Sequence, residues 1–286
     1  AKTPKVDVLR AGNPALLEEM QRRDAQAWDS LEASARRQRA SLESVQRALT
    51  TAGVRAQLLS RADFFGPRDD TDFVVAVGGD GTVLEVSHWL RDTPLLGVNS
   101  DPESSIGYFC ASSAEGLPGV LDAVVRGTAP SVNLHRIALT VNGGQCPYPC
   151  LNDILLSNAN PAAMSRYVIA AGDRSESQSS SGAWISTPAG STGGVRSAGG
   201  TVLPLEGALM QYLVREPYTP RVGRYELQRG VRHLREGLRF KSRMPEGRLY
   251  LDGPYIELPF GMGDVLELGE GPSLRVLGMH PNLRER

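Results

Sequence analysis

The apolar positions change rhythm near residue 130. Before that point, short continuous apolar runs alternate with stretches that repeat every three or four residues. Phe73 to Val77 is one such run and predicts a strand buried on both faces. After Gly78-Gly79-Asp80-Gly81-Thr82, Val83, Val86 and Leu90 fall at i, i+3 and i+7 with Trp89 beside them, which predicts a helix. Pro94 to Val98 is the next strand. The glycine-rich turn therefore sits at the carboxyl end of a strand in a βαβ unit, the edge where open α/β sheets bind ligands. Around this unit the pattern predicts a strand at Val6–Leu9, a long helix from about Trp28 to Thr51 and a strand at Ala56–Ser60. A loop at 61–72 and a helix at Ala114–Arg126 complete this half. Such alternation implies a doubly wound, mostly parallel sheet.

Beyond Gly127-Thr128-Ala129-Pro130, helical periodicity fades and short strands with turn signals take over. Leu134–Val141 runs into Asn142-Gly143, a strong hairpin signal. Further strands are expected at Ile154–Ser157, Tyr167–Ala171, Ala183–Thr187, Ala208–Val214, Leu238–Ser242, Leu249–Leu251, Val265–Leu268 and Leu274–Leu277. Ser175–Ser181 is polar enough to predict a mobile loop. The expected organisation is an α/β phosphate-binding domain over 1–130 and an all-β domain over 131–286, with roughly the last 25 residues packing back on the first.

Composition narrows the functional classes. The chain of 286 residues is 41% hydrophobic and 22% charged, enough to bury a sizeable core. A net charge of -1 supplies no field to draw the protein to nucleic acid or membrane, and no apolar run is long enough for a membrane span. With a strand expected at Val6, no leader segment is expected ahead of it. The odd set Cys110, Cys146 and Cys150 suits a reducing, cytoplasmic compartment, and the scattered histidines give Cys146 and Cys150 no second ligand pair for zinc. Lysine occurs only at Lys2, Lys5 and Lys241, and none follows a glycine-rich loop. That excludes a P-loop lysine and a protein-kinase strand lysine. The arginines between Arg215 and Arg243 are expected to form a solvated outer face.

The residue types of the turn then suggest its chemistry. Glycines allow φ > 0 and leave no side chain between backbone N–H groups and a ligand. Those N–H groups and the amino end of the next helix suit a phosphate, making Gly78, Gly79, Gly81 and Thr82 candidate phosphate contacts. A carboxylate at Asp80 would repel phosphates unless it met a metal or took a proton from an attacking hydroxyl, and both roles belong to phosphoryl transfer. A tight turn without function is the plainer reading, and the βαβ setting argues against it. Two further stretches stand out: Ser181 to Gly194, a strand entering a glycine- and hydroxyl-rich turn, and Asn152-Asp153 at the start of a strand.

Together, in order and spacing, these three motifs resemble the NAD kinase family, with features of its mitochondrial-type branch. Gly78 to Gly81, Asn152-Asp153, Ser186 to Thr192, Ser197 to Gly200, Leu251-Asp252-Gly253 and Gly263-Asp264-Val265 carry the resemblance. It implies that fold, shared with diacylglycerol kinases: an α/β domain followed by an all-β domain. It also implies transfer of the γ-phosphoryl of ATP to the adenosine-ribose 2′-hydroxyl of NAD, with Mg²⁺ or another divalent cation. By resemblance, Asp80 activates that hydroxyl, and Asp80, Gly81, Tyr108, Asn152, Asp153, Ser181, Thr192, Gly193 and Ser197 bind NAD. No residue is assigned as a metal ligand. A homodimer or homotetramer is implied, because subunits of that family share the NAD site.

Three departures bear on affinity. Ser181 stands where most members have aspartate, Gly193-Gly194 replaces alanine plus an aromatic, and Pro254 replaces a glutamine. The alternatives are a lipid kinase of the diacylglycerol or sphingosine type and a non-catalytic NAD(P)-binding regulator.

Overall fold

The computed structural model describes residues 1–218, 224–254 and 256–280. Three helices open the chain: α1 (Lys5–Gly12), α2 (Pro14–Arg23) and α3 (Ala25–Thr51). Strand β1 (Val74–Gly78), helix α4 (Asp80–Ser87), strand β2 (Leu95–Asn99), the two-residue β3 (Ser112–Ser113) and helix α5 (Leu117–Val125) follow. Then come β4 (Ser131–Leu134), β5 (Ile137–Val141), β6 (Gly144–Gln145), β7 (Asp153–Asn158), β8 (Ser165–Ala171), β9 (Arg174–Ser180) and β10 (Gly182–Ser186). After the short helix α6 (Gly194–Ser197) the chain continues through β11 (Leu209–Arg215), β12 (Arg229–His233), β13 (Leu238–Ser242), β14 (Gly247–Leu251), β15 (Ile256–Pro259), β16 (Val265–Glu270) and β17 (Leu274–Leu277).

Among the described residues two compact units result: Ala1–Val132 with Arg275–His280, and Asn133–Leu274. The first carries a sheet ordered β1-β2-β17-β4, with β3 also on β2. Strand β1 runs parallel to β2 in the register Val75↔Leu96 and Val77↔Val98, and β17 joins β2 at Val276↔Leu95. Alternation puts Val77, Leu96 and Val98 on one face, where Val45 and Leu49 of α3 and Leu117 and Leu121 of α5 bury them. Gly97 points the other way, toward Val83 of α4. Helices thus lie on both faces of a sheet whose strands β1, β2, β3 and β17 run parallel, the doubly wound arrangement.

Several sequence expectations give way at the start of the chain. Val6–Leu9 is helix α1, not a strand. A four-residue run fits either period, and here Val6 and Leu9 share one helical face that packs on Leu17, Trp28, Leu31 and Ala35. Ala56–Ser60 forms no strand; its central Leu58 is exposed and its polar neighbours offer no buried face. Helix α3 begins three residues earlier than expected, because the Asp24 carboxylate accepts the Ala27 N–H at 2.9 Å and caps it. Helix α5 begins later, at Leu117, with Pro118 in its first turn.

The second unit is a sandwich of two six-stranded antiparallel sheets, β12-β11-β10-β7-β14-β15 and β6-β5-β16-β13-β8-β9. Ile154, Leu156, Ala183, Ile185 and Leu249 of the former meet Leu139, Tyr167, Ile169, Phe240 and Leu266 of the latter in a continuous core. Asn142 (φ 53°) and Gly143 (φ 79°) make the expected hairpin turn between β5 and β6. The single strand expected at Leu134–Val141 is two strands, broken at His135-Arg136. Arg136 is fully buried there and donates from Nε to the Pro272 carbonyl at 2.6 Å.

The serine-rich 175–181 stretch is strand β9 rather than a loop. It pairs along all of β8, and its inward side chains are satisfied: the Tyr167 and Ser180 hydroxyls bond at 2.9 Å, and Gln178 donates to the Leu227 carbonyl at 3.0 Å. Strands β12 and β15 were not expected from the sequence. Arg232 of β12, Arg235 in the turn that follows and Arg239 of β13 pair with Glu236, Glu270 and Glu267. Arg221, from the same arginine-rich stretch, lies outside the described residues.

Candidate active site

In the first unit the chemistry gathers where β1 enters α4. Gly78, Gly79 and Gly81 do not take positive φ, so the conformational freedom expected of them is not what the turn uses. Close approach is the reason at two of them. A Cβ on Gly78 would lie 2.2 Å from Thr82 Oγ1, and one on Gly79 would lie 2.6 Å from Ser105 Oγ. Gly81 has open space around it. Thr82 is buried and folds back over Gly78, so its side chain faces the turn's interior rather than an anion. Helix α4 has no side-chain cap. Its Thr82 and Val83 N–H groups reach the Gly79 carbonyl, while those of Asp80 and Gly81 have no partner among the described residues.

Asp80 is fixed by the loop that follows β2. The Phe109 N–H donates to Asp80 Oδ1 at 2.8 Å, while Oδ2 has no partner among the described residues. Gly107 (φ 66°) makes that loop possible, because a Cβ there would strike Asn99 Nδ2 at 2.4 Å. Asn99 is itself occupied, donating from Nδ2 to the Ser105 carbonyl and accepting the Asp101 N–H. Tyr108 precedes the anchoring amide and sets its ring edge-on to Phe109, with centroids 5.2 Å apart. The Cys110 thiol lies 3.8 Å from the Gly78 carbonyl, and burial, then the Asp80 charge, pushes its pKa up to about 12. It is no nucleophile.

The second unit assembles the other two motifs around Asp252. The Asp252 carboxylate accepts three successive backbone N–H groups, from Leu151 at 2.9 Å, Asn152 at 2.6 Å and Asp153 at 3.1 Å, and the Cys150 thiol at 3.0 Å. Asp252 holds φ 52° to do so, and Gly253 follows at φ 107°. The Asp-Gly pair signals such a turn in the sequence, but nothing there says which strand it clamps.

Asn152 Nδ2 donates to Asp153 Oδ2 at 2.9 Å. Asp153 is buried, and burial followed by the Asp252 charge raises its carboxyl to about 7. The Ser186–Thr192 turn lies directly on this pair. Thr187 Oγ1 donates to the Leu151 carbonyl at 2.6 Å and accepts the Gly190 N–H at 3.1 Å, while the Thr187 N–H bonds the Asn152 carbonyl at 3.0 Å. A Cβ on Gly190 would overlap the Asn152 carbonyl oxygen at 2.0 Å. Ser186 and Ser191 spend their hydroxyls on the Thr187 and Pro188 carbonyls. Thr192 is the partly exposed hydroxyl left in the turn, beside the equally accessible Gly193.

Asn152, Asp153, Thr192 and Gly193 therefore come together. Ser197 lies one helical turn beyond Gly193 and is exposed. Ser181 does not join them. Asp153 pairs with Ser186 at one end of β10, and Ser181 lies beyond the other end, roughly 16 Å away at the rise of an extended strand.

Comparison with known proteins bears on these arrangements. The domain family described as the ATP-NAD kinase N-terminal domain matches residues 32–129. A probable NADH kinase of Oryza sativa subsp. japonica is 36% identical over 242 residues, 77% of this chain and 74% of that protein. The chain belongs to the NAD kinase family. An NADH kinase of Arabidopsis thaliana is 31% identical over an alignment of 291 positions, covering 90% of this chain and 89% of its own length. The family fold is shared by a crystal structure of an NAD kinase from Archaeoglobus fulgidus in complex with ATP. Its TM-score is 0.70 at 21% identity, over 85% of this chain and 92% of that one. Yeast NADH kinase complexed with NADH gives a TM-score of 0.65 at 18% identity, over 76% of this chain and 65% of that one.

Proposed function

We propose that this protein transfers the γ-phosphoryl of MgATP to the adenosine-ribose 2′-hydroxyl of NAD or NADH. Membership of the family and the two plant relatives named NADH kinases support the reading. The observation that carries it is the half-bound carboxylate of Asp80, with Oδ1 held by the Phe109 N–H and Oδ2 left to accept a proton from the ribose hydroxyl. The uncapped start of α4 and the unsubstituted Gly81 suit phosphate oxygens. In the second unit, Asn152 and Asp153 are the proposed dinucleotide contacts, with Thr192 and Gly193 beside them. Mg²⁺ arrives on the donor and neutralises its phosphates.

The finer features belong to the same proposal. Subunits associate as a homodimer or homotetramer, and Ser181, far from Asp153 on its own strand, suits a ligand shared with a partner subunit. Among the described residues no helix is long and apolar enough to cross a membrane, and the three cysteines are free. We place the protein in the cytoplasm, with no nucleic-acid or membrane partner.

The test is formation of NADP from NAD, or NADPH from NADH, with MgATP, read by a dehydrogenase specific for the phosphorylated dinucleotide. Turnover with either acceptor is expected. Binding of NAD and NADH by folded protein with no turnover would overturn the assignment in favour of a regulator.

A further inference from the structure

The non-core face of the sheet containing β10 carries a half-buried indole that no role yet described uses. Trp184 stands in register between Leu155 of β7 and Leu213 of β11, which flank it on the same face and limit its swing across the sheet. The Arg215 guanidinium lies 5.9 Å from the ring centroid and caps it from one side. Gly194 stands beside the six-membered ring of the same indole. A Cβ built there would sit 3.4 to 3.8 Å from Cζ2, Cη2 and Cε2 of the indole, which is ordinary van der Waals contact. Gly194 is exposed, so the space a side chain would occupy is open to solvent and walled by the Trp184 ring.

One residue earlier, the same space beside Gly193 is walled differently. A Cβ there would lie 3.6 Å from Asn152 Nδ2 and 3.8 Å from Asp153 Oδ2. The Gly193-Gly194 backbone therefore runs between an aromatic edge and an amide–carboxyl pair, with no side chain of its own in the way. A flat heteroaromatic ring laid over these two glycines would meet carbon on one side and hydrogen-bonding groups on the other. An aliphatic group would leave the outward hydrogen-bonding positions of Asn152 and Asp153 unused, and a phosphate would meet the Asp153 carboxyl on one side and indole carbon on the other.

Resting on the proposed phosphorylation of NAD(H), we infer that Trp184 is a specificity-determining residue, whose indole edge holds one heteroaromatic ring of the dinucleotide acceptor across Gly193-Gly194. The donor ATP does not use this surface. Aromatic contact to a nucleobase contributes enough for truncation to weaken binding by roughly tenfold or more.

A protein with Trp184 as its single tryptophan, made by Trp28→Phe and Trp89→Phe, reports the contact directly. Its emission should be quenched or shifted by NAD, and by whichever of nicotinamide mononucleotide or AMP carries the ring that binds; ribose 5-phosphate should leave it unchanged. Kinetically, Trp184→Leu should raise KM for NAD or NADH about tenfold while leaving KM for ATP and kcat within about twofold, and Trp184→Phe should recover part of the loss. Should the Leu variant fail to fold, the Phe variant and the emission titration decide. Unchanged emission with NAD, equal response to ribose 5-phosphate, or unaltered acceptor KM in a folded variant overturns the inference. A protein without turnover whose Trp184 emission still answers NAD refutes the kinase reading alone.

Discussion

Asp252 and Asp153 hold each other through the main chain: the Asp252 N–H donates to the Asp153 carbonyl at 2.8 Å, and Asp252 Oδ1 accepts the Asp153 N–H at 3.1 Å. Two acidic residues are thereby kept adjacent in a buried place, where each carboxyl feels the other's charge. The arrangement is tolerable because Asp252 is surrounded by donors and Asp153 has its pKa raised.

This gives a pH dependence of stability with a definite sign. Folding raises the Asp153 carboxyl from 3.8 to about 7, through burial first and the Asp252 charge second. The folded state then holds a proton that the unfolded state has released. The stabilisation is fully present below the unfolded value and is lost as pH rises toward 7. Its ceiling is on the order of 4 kcal/mol, at about 1.4 kcal/mol per unit. Asp153→Asn removes the titration, so the stability of wild type relative to this variant should fall between pH 4 and pH 7 and stay level above. Urea unfolding of both proteins across that range checks it. A difference that rises with pH would contradict the assignment.

Removing the clamp itself is a harsher change. Asp252→Ala leaves three backbone N–H groups and the Cys150 thiol without their acceptor in a buried setting. Each unsatisfied buried donor costs about 1–3 kcal/mol, so a loss of several kcal/mol in unfolding free energy is expected. Dinucleotide affinity should fall with it, because Asn152 and Asp153 lose their positioning. Chemical denaturation and a binding titration of the surviving folded fraction measure the two effects.

The glycines of the turn should separate structural from functional roles. Gly78→Ala drives a methyl to within 2.2 Å of Thr82 Oγ1, and the Thr82 β-carbon at 2.6 Å gives no relief, so β1 or α4 must shift. Overpacking of this kind costs about 1–3 kcal/mol. Gly81→Ala meets nothing within 4 Å, and helix propensity favours alanine there. Its stability should equal or exceed wild type while KM for ATP rises, since the methyl occupies the approach proposed for phosphate. Melting temperature and ATP kinetics of the two variants should therefore diverge; a normal KM for ATP in Gly81→Ala would remove this glycine from the donor site.

These effects also mark what the sequence made legible. The βαβ unit was readable because a continuous apolar run, a glycine turn and a helical repeat each point the same way, and Val77, Val83 and Val98 sit as their periods require. The alternation of Val6 to Leu9 was ambiguous, and packing against Leu17 and Ala35 decided it in favour of a helix. Strand β9 was hidden because its buried face is polar: Gln178 and Ser180 are inward residues satisfied by partners distant in sequence. At the site, Asn152-Asp153 and the 186–194 turn were visible as separate motifs. Their contact depends on Asp252, about a hundred residues away by the separations of its bonds, and on a glycine at 190 that lets two backbones meet. Trp184 carried no signal in the sequence because an aromatic residue in a strand is ordinary.

The remaining prediction concerns the carboxylate in the glycine turn. Asp80→Asn keeps an oxygen able to accept the Phe109 N–H, so the loop after β2 should stay in place and the melting temperature should change little. What the amide cannot do is accept a proton at the second position. If Asp80 Oδ2 takes the ribose proton, kcat should fall by about 10²–10⁴, the usual contribution of a positioned general base, while KM for ATP and for the dinucleotide stays within a few-fold. If the carboxylate instead acts chiefly by its charge near MgATP, the loss will appear in KM for ATP and will ease as the Mg²⁺ concentration is varied. Steady-state kinetics of a folded Asn variant across Mg²⁺ concentrations distinguish the two, and near-wild-type turnover would remove Asp80 from the reaction.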